Sequence, residues 1–238
     1  MFIKPLGVPF PYLTKALMWP SPLFSFASSD TPKTQHVLYP GESSLIKGAS
    51  EKRERDFCAG RYCAHQVLGR LGYEGIPVLK DINGAPTWPM NIVGSISHSG
   101  EVAIAVAAYT EHIRSLGVDI QEHGKPFPRD VLYSFFRSEE INAILKVQPT
   151  LISYHAYAIF SAKESVLKCC YTAFGYLLEF TDISIEMDLA GGNFSVRIPQ
   201  HSIGEGFCNR NRLLSGQVSI DDSYIYTGIW LKREHSSK

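Results

Sequence analysis

The hydrophobic positions of the chain recur at helical spacing in three stretches. These are Glu51 to Leu71, which stops at Gly72, Phe135 to Val147, and Ser153 to Phe174, which stops at Gly175. Apolar residues at every third or fourth position line one face of a helix, and glycine is common just past a helix end. The pattern therefore predicts three helices, of which the first and the last are long.

Elsewhere the apolar residues form short runs or alternate with polar residues, which is typical of strands. Strands are predicted over Val102–Tyr109, Leu116–Gln121 and Tyr224–Leu231, and a hairpin over Pro77–Trp88 turns at Asn83-Gly84. Each half of the chain thus has one long helix followed by strands.

This order of elements predicts an α+β fold of two similar lobes, each a small antiparallel sheet with a long helix. The predicted lobes are residues 1–112 and 113–238. The two halves share no visible sequence repeat, so their similarity is inferred from the order of elements alone. Residues 1 to about 45 are rich in proline and serine, and irregular structure with short strands is expected there.

The composition narrows the class of protein. The chain has 238 residues, of which 45% are apolar and 19% charged, as in a soluble globular protein. Lys+Arg and Asp+Glu both number 23, so no overall basic field favours nucleic acid, and any anion site must be local. No apolar run approaches the roughly 18 residues of a membrane span. The five cysteines form no CxxC pair, which indicates reduced thiols and a cytoplasmic location.

Two carboxylates stand out as candidate metal ligands. Asp119 lies in the apolar strand GVDI, where a carboxylate costs energy unless it is paired or binds a metal. The helical segment FSAKESVLK presents Lys163, Glu164 and Lys168. Carboxylates from two elements can hold Mg²⁺ on a phosphate-bearing substrate, and lysines suit the phosphates. The alternative for Glu164 and Lys168 is an ordinary i,i+4 surface pair worth roughly 0.2–0.5 kcal/mol.

A basic cluster near the start of the first helix is a candidate anion site. Arg53 and Arg61 are eight residues apart, about 80° around a helix, so they can face one ligand. Positive charge at a helix N-terminus opposes the macrodipole unless an anion neutralises it. The alternative is a solvated face whose cations pair with neighbouring acidic residues. Lys80 and His98, each considered singly, are as well explained by an exposed or structural role.

Five segments in this order and spacing resemble the 4′-phosphopantetheinyl transferases, and more narrowly the enterobactin-synthase-component-D and Sfp type. They are KRERDFxxGR, LKxxxGxPxWP, GSISHS, LGVDI and FSAKESVLK, within residues 50 to 170. The resemblance implies the pseudo-dimeric fold of that family. It also implies transfer of the phosphopantetheine arm of coenzyme A to a serine of an apo carrier protein, with release of adenosine 3′,5′-bisphosphate. Mg²⁺ is implied as the cofactor, a monomer as the active form, and nonribosomal peptide, siderophore or polyketide synthesis as the pathway.

The same resemblance implies a role for each candidate residue. Asp119 and Glu164 would ligate Mg²⁺ in the second lobe, which would be the metal and catalytic lobe. Glu164 would also be the candidate base for the serine. Lys168 would steady or protonate the leaving bisphosphate, and Lys163 would contact the pyrophosphate. The first lobe would hold the 3′-phosphate and adenine end of coenzyme A through four side chains, namely those of Arg53, Arg61, Lys80 and His98.

Position 121 departs from the family pattern, in which many relatives carry a third carboxylate ligand. Here the residue is Gln121, followed by Glu122, which is expected on the opposite face of the strand. A glutamine carbonyl oxygen can still coordinate the metal or hold a metal-bound water, so a weaker or more hydrated site is expected.

Two other functions remain open at this stage. A non-catalytic module that binds coenzyme A or a carrier protein is supported only by Gln121, and the intact Asp119, Glu164 and Lys168 argue against it. A metal-dependent phosphodiesterase would need ligands for a second metal, and the sequence has no HxD or HExxH grouping to supply them.

Overall fold

A computed structural model describes residues 24–30, 38–198 and 214–233 of the chain. Its helices are α1 (Glu51–Arg70), α2 (Leu132–Phe135), α3 (Ser138–Lys146) and α4 (Ile152–Phe174). Its strands are β1 (Phe24–Asp30), β2 (Leu79–Lys80), β3 (Pro86–Thr87), β4 (Ile92–Ser99), β5 (Val102–Tyr109), β6 (Ile113–Glu122), β7 (Ser184–Asp188), β8 (Asn193–Arg197), β9 (Leu214–Ile220) and β10 (Tyr224–Lys232). Short 3₁₀ turns lie at Ser43–Ile46, Arg129–Val131, Pro149–Leu151 and Phe180–Asp182.

The chain divides into two compact units. The division falls inside β6, so that the second unit is Ser115–Leu231, and the described residues Lys232 and Arg233 group with the first unit. The predicted boundary lies near residue 112, with the whole C-terminus in the second lobe. The first two residues of β6 and the last residue of β10 therefore group with the first unit.

The first unit packs α1 on a three-stranded sheet of order β1-β5-β4, in which β5 runs antiparallel to both neighbours. Ser50 caps the helix by accepting from the backbone nitrogen of Arg53. Small side chains at alternate positions of β5 face the helix and are fully buried, namely Ala103, Ala105 and Ala107. They allow a close approach, and at Gly60 a Cβ atom would lie only 2.9 Å from Cγ2 of Ile96 on β4.

The second unit packs α4 on a five-stranded sheet of order β6-β10-β9-β8-β7, with β7 to β10 paired antiparallel. Its core combines apolar residues of α3 and α4 with the sheet, and α4 ends at Gly175, which has the positive φ of 71° that a helix C-cap favours. A long helix on an antiparallel sheet in each unit confirms the predicted α+β class.

The local predictions are confirmed except at two places. The second predicted helix begins at Ser138 and not at Phe135, because Phe136 and Arg137 are extended and the Glu140 carboxylate accepts from the Arg137 backbone nitrogen. The segment around His98, which was assigned no element, forms strand β4. Of residues 1 to about 45, only 24–30 and those from 38 onward are described, and Cys208 lies outside the described residues. None of the described helices combines the length and apolarity that a membrane crossing requires.

Candidate active site

Strand β6 carries Asp119 against α4 because Gly117 lets the two backbones come close. A Cβ atom on Gly117 would lie 2.8 Å from the backbone nitrogen of Cys169, and closer still to the backbone oxygen of Ser165. Backbone atoms cannot swing aside as a side chain can, so only glycine fits here. On the same side of the strand, the Ser115 hydroxyl donates to the Cys169 carbonyl oxygen at 2.5 Å. Since alternate residues of a strand share a face, Asp119 also faces α4.

Asp119 is buried, with only 3% of its side chain exposed, and its carboxylate contacts two polar neighbours. The ammonium of Lys168 donates to Oδ1 at 2.7 Å and to the carbonyl oxygen of Val118 at 3.1 Å. The side-chain nitrogen of Gln121 donates to Oδ2 at 2.7 Å. These contacts stabilise a charge that an apolar strand could not otherwise hold.

Glu164 lies one helical turn before Lys168, and its Oε2 is 3.8 Å from the Lys168 ammonium. Burial raises the pKa of Glu164, while Lys168 opposes the rise and the negative charge of Asp119 adds to it. The two carboxylates therefore lie close enough to interact. Glu164 is also the more accessible of the two, with 28% of its side chain exposed. The structure thus brings Asp119, Glu164 and Lys168 together, and we call these three residues the carboxylate cluster.

The donor set of the carboxylate cluster suits a hard divalent cation. Mg²⁺ is usually bound through one or two carboxylates, with waters and substrate phosphates completing its shell. Asp119 and Glu164 supply two carboxylates from separate elements. Among the residues that the structure describes, no group of three or more His, Cys, Asp or Glu side chains is arranged to hold a metal. Two carboxylates would leave the rest of the coordination shell to waters and substrate phosphates.

Gln121, the predicted third ligand, contacts the carboxylate cluster through Asp119. The atom in contact is the amide nitrogen, whereas a metal ligand would have to be the carbonyl oxygen. A half-turn of the amide exchanges the two atoms without moving the rest of the side chain. Glu122 is the last residue of β6 and is exposed.

Lys163 lies elsewhere, which corrects the prediction that it contacts a pyrophosphate. Its side chain is fully buried, and its ammonium lies 2.6 Å from Oε2 of Glu140. It also donates to the carbonyl oxygens of Phe135 and Phe180, both at 2.9 Å. An ammonium has three donor hydrogens, and these three acceptors use them all. Burial lowers the pKa of Lys163, and Glu140 opposes that shift. Lys163 therefore forms a buried structural ion pair with Glu140, although in the sequence it directly precedes Glu164 of the carboxylate cluster.

The two serines of the FSAKES segment attach α4 to strand β10. The hydroxyls of Ser161 and Ser165 lie 2.9 Å and 2.6 Å from Oγ1 of Thr227, and all three side chains are fully buried. Within the segment, Glu164 belongs to the carboxylate cluster, as does Lys168 one helical turn further on. The other polar residues of the segment hold the helix in place.

In the first unit, two of the four predicted anion-binding residues, Arg61 and Lys80, lie against the ring of Phe57, and a third, Arg53, interacts electrostatically with both. The Arg61 guanidinium lies 4.4 Å and the Lys80 ammonium 4.9 Å from the centre of the Phe57 ring. Burial lowers the pKa of Lys80, and the charges of Arg53 and Arg61 lower it further. Like charges held this close repel one another, so an anion would stabilise them. We call Arg53, Arg61 and Lys80 the cation cluster.

Arg61 is the buried member of the cation cluster, with 5% of its side chain exposed. Burial lowers its pKa to about 10, with Glu42 opposing this shift and Arg53 adding to it. One nitrogen donates to the carbonyl oxygen of Leu79 at 3.3 Å, next to Lys80. The Arg61 Nε is 4.0 Å from Oε1 of Glu42, and within the described part of the chain it has no hydrogen-bond partner. A buried donor without an acceptor is costly, as expected of a residue built to meet a ligand.

Glu42 is a fully buried carboxylate beneath the cation cluster that the sequence did not reveal. It accepts from the backbone nitrogens of Tyr39 and Val78 at 2.8 and 2.7 Å, and lies 2.9 Å from Nε2 of His65. Burial by itself would raise the pKa of Glu42, but these hydrogen bonds together lower it. Because Val78 directly precedes β2, Glu42 fixes the strand that carries Lys80.

His98, the fourth predicted anion-binding residue, faces a carboxylate. Its Nε2 lies 3.3 Å from Oδ2 of Asp56 on α1, and 35% of its side chain is exposed. Asp56 was considered in the sequence only as a partner for surface cations.

Models of two protein families match the chain in the two regions that carry these clusters. Residues 41–108 match the 4′-phosphopantetheinyl transferase N-terminal domain, and residues 115–222 match the 4′-phosphopantetheinyl transferase superfamily. Together the two matches cover well over half of the chain. The chain belongs to the 4′-phosphopantetheinyl transferase family.

Individual phosphopantetheinyl transferases agree with this assignment. The chain is 34% identical to Svp of Streptomyces mobaraensis over 68% of its length and 66% of the relative's. It is 29% identical to Npt of Nocardia iowensis, over 81% and 83%, and 32% identical to PptT of Mycobacterium tuberculosis, over 67% and 71%. Among solved structures, the Thermotoga maritima holo-[acyl-carrier-protein] synthase matches with a TM-score of 0.39 and 18% identity, over 52% of this chain and 67% of that one.

The family predicted from the five sequence segments is thus confirmed. Sequence reasoning missed three polar residues that hold the site residues of this phosphopantetheinyl transferase in place, namely Glu42, Asp56 and Thr227. Asp56 had a usable signal, because an acidic residue inside a basic helix face often pairs with a cation from another element. Glu42 and Thr227 carry no such local signal, since their partners lie far away in the sequence.

Proposed function

We propose that this chain transfers the 4′-phosphopantetheine group of coenzyme A to a serine of an apo carrier protein, with Mg²⁺ held by Asp119 and Glu164. The observation that carries the proposal is the carboxylate cluster, in which a buried carboxylate from a strand meets an accessible carboxylate and an ammonium from a helix. When bound there, Mg²⁺ supplies charge neutralisation for the pyrophosphate of coenzyme A.

In the proposed reaction the serine oxygen attacks the phosphorus that carries the pantetheine arm. The new O–P bond forms as the bond from that phosphorus to the bridging oxygen breaks, and adenosine 3′,5′-bisphosphate leaves with the bonding electron pair. Such transfers depend mainly on positioning and on stabilising charge at the phosphoryl group.

Glu164 is the proposed base for the serine hydroxyl. Its carboxylate is 28% exposed, so an incoming hydroxyl can reach it, whereas Asp119 is 3% exposed and already accepts from Lys168 and Gln121. A base must come within hydrogen-bond distance of the proton that it removes. Accessibility therefore favours Glu164.

Lys168 is the proposed partner of the leaving bisphosphate. Asp119 and the carbonyl oxygen of Val118 hold its ammonium at 2.7 and 3.1 Å, and 29% of the side chain is exposed. A fixed ammonium can stabilise the charge that develops on the leaving oxygen, or protonate it. Lys163 takes no part, because its ammonium is fully used inside the protein.

The cation cluster is the proposed site for the 3′-phosphate of coenzyme A. Arg53, Arg61 and Lys80 repel one another, and Nε of Arg61 is buried without a hydrogen-bond acceptor among the described residues. A phosphate dianion would supply both the charge and the acceptor oxygens. Coenzyme A carries such a phosphate at the 3′ position of its ribose.

The proposed acceptor is a carrier protein of a peptide or polyketide assembly line. Relatives that support this choice include enterobactin synthase component D of Escherichia coli K12, which is 33% identical over 37% of this chain and 40% of its own length. Because this match is partial, the acceptor is best decided by a panel of carrier proteins.

The deciding experiment is intact-mass measurement of apo carrier proteins incubated with coenzyme A, Mg²⁺ and the enzyme. The panel contains peptidyl, polyketide and fatty-acid carriers, each with a matched variant whose acceptor serine is replaced by alanine. We expect a mass gain of one phosphopantetheine on at least one serine-bearing carrier, none on its alanine variant, and none in EDTA until Mg²⁺ is restored. Binding of coenzyme A without transfer to any carrier would favour a non-catalytic module. Undiminished transfer in EDTA would show that the reaction does not require a metal.

A further inference from the structure

Asp56 on α1 is a buried carboxylate that contacts one histidine and one lysine side chain. Its Oδ2 lies 3.3 Å from Nε2 of His98 on β4 and 2.8 Å from the ammonium of Lys52. The Asp56 side chain is 7% exposed, whereas that of Lys52 is 73% exposed. An exposed i,i+4 pair contributes little, so Lys52 does not account for a carboxylate buried at this point.

The packing of α1 on β4 creates the contact between Asp56 and His98. Gly60 allows the helix to approach Ile96 so closely that a Cβ atom at position 60 would be 2.9 Å from it. Asp56 lies one helical turn before Gly60, and His98 lies two residues after Ile96 on the same face of the strand. The close approach at Gly60 therefore carries the carboxylate to the imidazole.

The pair is continuous with the cation cluster through α1. Arg53 lies one turn before Asp56, and Phe57, whose ring is covered by Arg61 and Lys80, is the next residue. A neighbouring carboxylate favours the doubly protonated imidazole, which can donate from both ring nitrogens. A neutral imidazole donates from one nitrogen only.

We propose that Asp56 is a positioning residue for recognition of the 3′-phosphate: it fixes the imidazole of His98, in its cationic form, as the fourth positive group of the cation cluster. This inference rests on the proposed function, since it takes the 3′-phosphate to be the anion that the cluster binds. Asp56 itself does not touch the phosphate. It acts through His98, as a carboxylate beside a metal-binding histidine orients that ring.

Calorimetric titration with coenzyme A and with dephospho-coenzyme A tests the inference without any carrier protein. The two ligands differ only in the 3′-phosphate, so the ratio of their dissociation constants reports that group alone. Asp56→Asn keeps the shape of the side chain and removes its charge, and Asp56→Glu restores the charge. Lys52→Ala is the matched control, because it removes the other partner of Asp56 and leaves His98 paired.

We expect Asp56→Asn to weaken coenzyme A binding about tenfold, the value of one charge-assisted contact, and to leave dephospho-coenzyme A binding unchanged. Asp56→Glu should recover part of the loss, and Lys52→Ala should preserve the wild-type ratio. His98→Ala by itself should reduce the preference for coenzyme A over dephospho-coenzyme A. The double variant with Asp56→Asn should show little further reduction, since the effects of coupled residues are not additive. Thermal unfolding of each variant shows whether the fold is retained.

Three results would overturn the inference. Equal weakening of both ligands by Asp56→Asn would mean that Asp56 only supports the fold. Additive effects of Asp56→Asn and His98→Ala would mean that Asp56 does not act through the imidazole. Unchanged affinity for both ligands in Asp56→Asn, or a larger preference for coenzyme A, would mean that the carboxylate is neutral or repulsive toward the phosphate. If the wild-type protein binds both ligands equally, the 3′-phosphate assignment itself fails, and the role of Asp56 fails with it.

Discussion

The cation cluster of the first unit and the carboxylate cluster of the second differ in how their charges are balanced. Arg53, Arg61 and Lys80 are all positive. Burial lowers the pKa of Arg61 and of Lys80, neighbouring cations lower both further, and Glu42 opposes the shift at Arg61. Asp119 and Glu164, by contrast, share the single ammonium of Lys168. The first cluster has three cations above the buried carboxylate of Glu42, and the second has two carboxylates for one ammonium, so each retains a surplus of one sign. The comparison shows that charge balance, more than residue type, indicates which ligand each cluster can accept.

The two units also differ in the atoms that pack against a closely packed glycine, Gly60 in the first unit and Gly117 in the second. A Cβ atom at Gly60 would meet the end of the Ile96 side chain, whereas one at Gly117 would meet the backbone of α4. A side chain can rotate away, but a helix backbone can move only with the whole element. The carboxylate cluster is therefore the more rigidly specified of the two.

The largest expected effect comes from removing either carboxylate of the second unit. Asp119→Ala or Glu164→Ala should lower the rate of transfer at saturating Mg²⁺ by at least about a thousandfold, or ~4 kcal/mol in the barrier, because a single carboxylate cannot hold the metal on the pyrophosphate. Turnover is measured by intact mass, and circular dichroism checks the fold. A variant with near-normal turnover would show that its carboxylate is not a ligand.

The neighbouring lysines of α4 should separate stability from catalysis. Lys163→Met leaves the buried Glu140 without its cationic partner, so the free energy of unfolding should fall by about 3–5 kcal/mol. Lys168→Met, the matched comparison, should lose activity with a smaller loss of stability, because Lys168 is 29% exposed and water can replace part of its interaction with Asp119. Chemical denaturation and transfer assays on both variants measure the contrast. A stable Lys163→Met protein with weakened coenzyme A binding would show that Lys163 contacts the substrate after all.

Alanine at the two glycines tests the difference in rigidity. Gly117→Ala forces β6 away from α4, so it should destabilise the protein by roughly 1–3 kcal/mol and also reduce activity. Gly60→Ala should cost less, because Ile96 can adjust its rotamer. Denaturation midpoints and transfer rates of the two variants are compared directly. Equal costs, or a larger cost at Gly60, would contradict the assigned packing.

Loss of the 3′-phosphate should affect only the first cluster. Each charge-assisted contact contributes about 1.5–3 kcal/mol, so dephospho-coenzyme A should bind at least tenfold more weakly than coenzyme A. Calorimetry measures both dissociation constants, and Arg61→Gln should reduce the difference between them. Equal affinities in the wild-type protein would show that the 3′-phosphate is not bound by the four predicted residues, Arg53, Arg61, Lys80 and His98.

The smallest expected effect is at Gln121, which contacts Asp119 with a neutral amide. Gln121→Glu adds a third negative charge near the metal, so the Mg²⁺ concentration for half-maximal activity should fall by about threefold, a fraction of 1 kcal/mol. The control is Gln121→Ala, which should remain active, since two carboxylates suffice. An unchanged or higher Mg²⁺ requirement in Gln121→Glu would show that position 121 does not face the metal.

The sequence by itself determined the elements and the reactive residues that depend on short-range spacing. Helices α1 and α4 follow from apolar periodicity and terminal glycines, and Glu164 and Lys168 share a face because they are four residues apart. The strand context of Asp119 likewise indicated that its charge needs a partner. These predictions depend on neighbours along the chain, and the chain order is what a sequence records.

Only the tertiary structure decided which of several equivalent residues reach a site. Lys163 and Lys168 belong to one helix and one motif, yet Glu140 and two distant carbonyl oxygens bind the first while Asp119 binds the second. Asp56 and His98 meet only because α1 packs on β4. A buried charge takes the nearest partner in space, and that partner comes from elements whose packing no local pattern specifies.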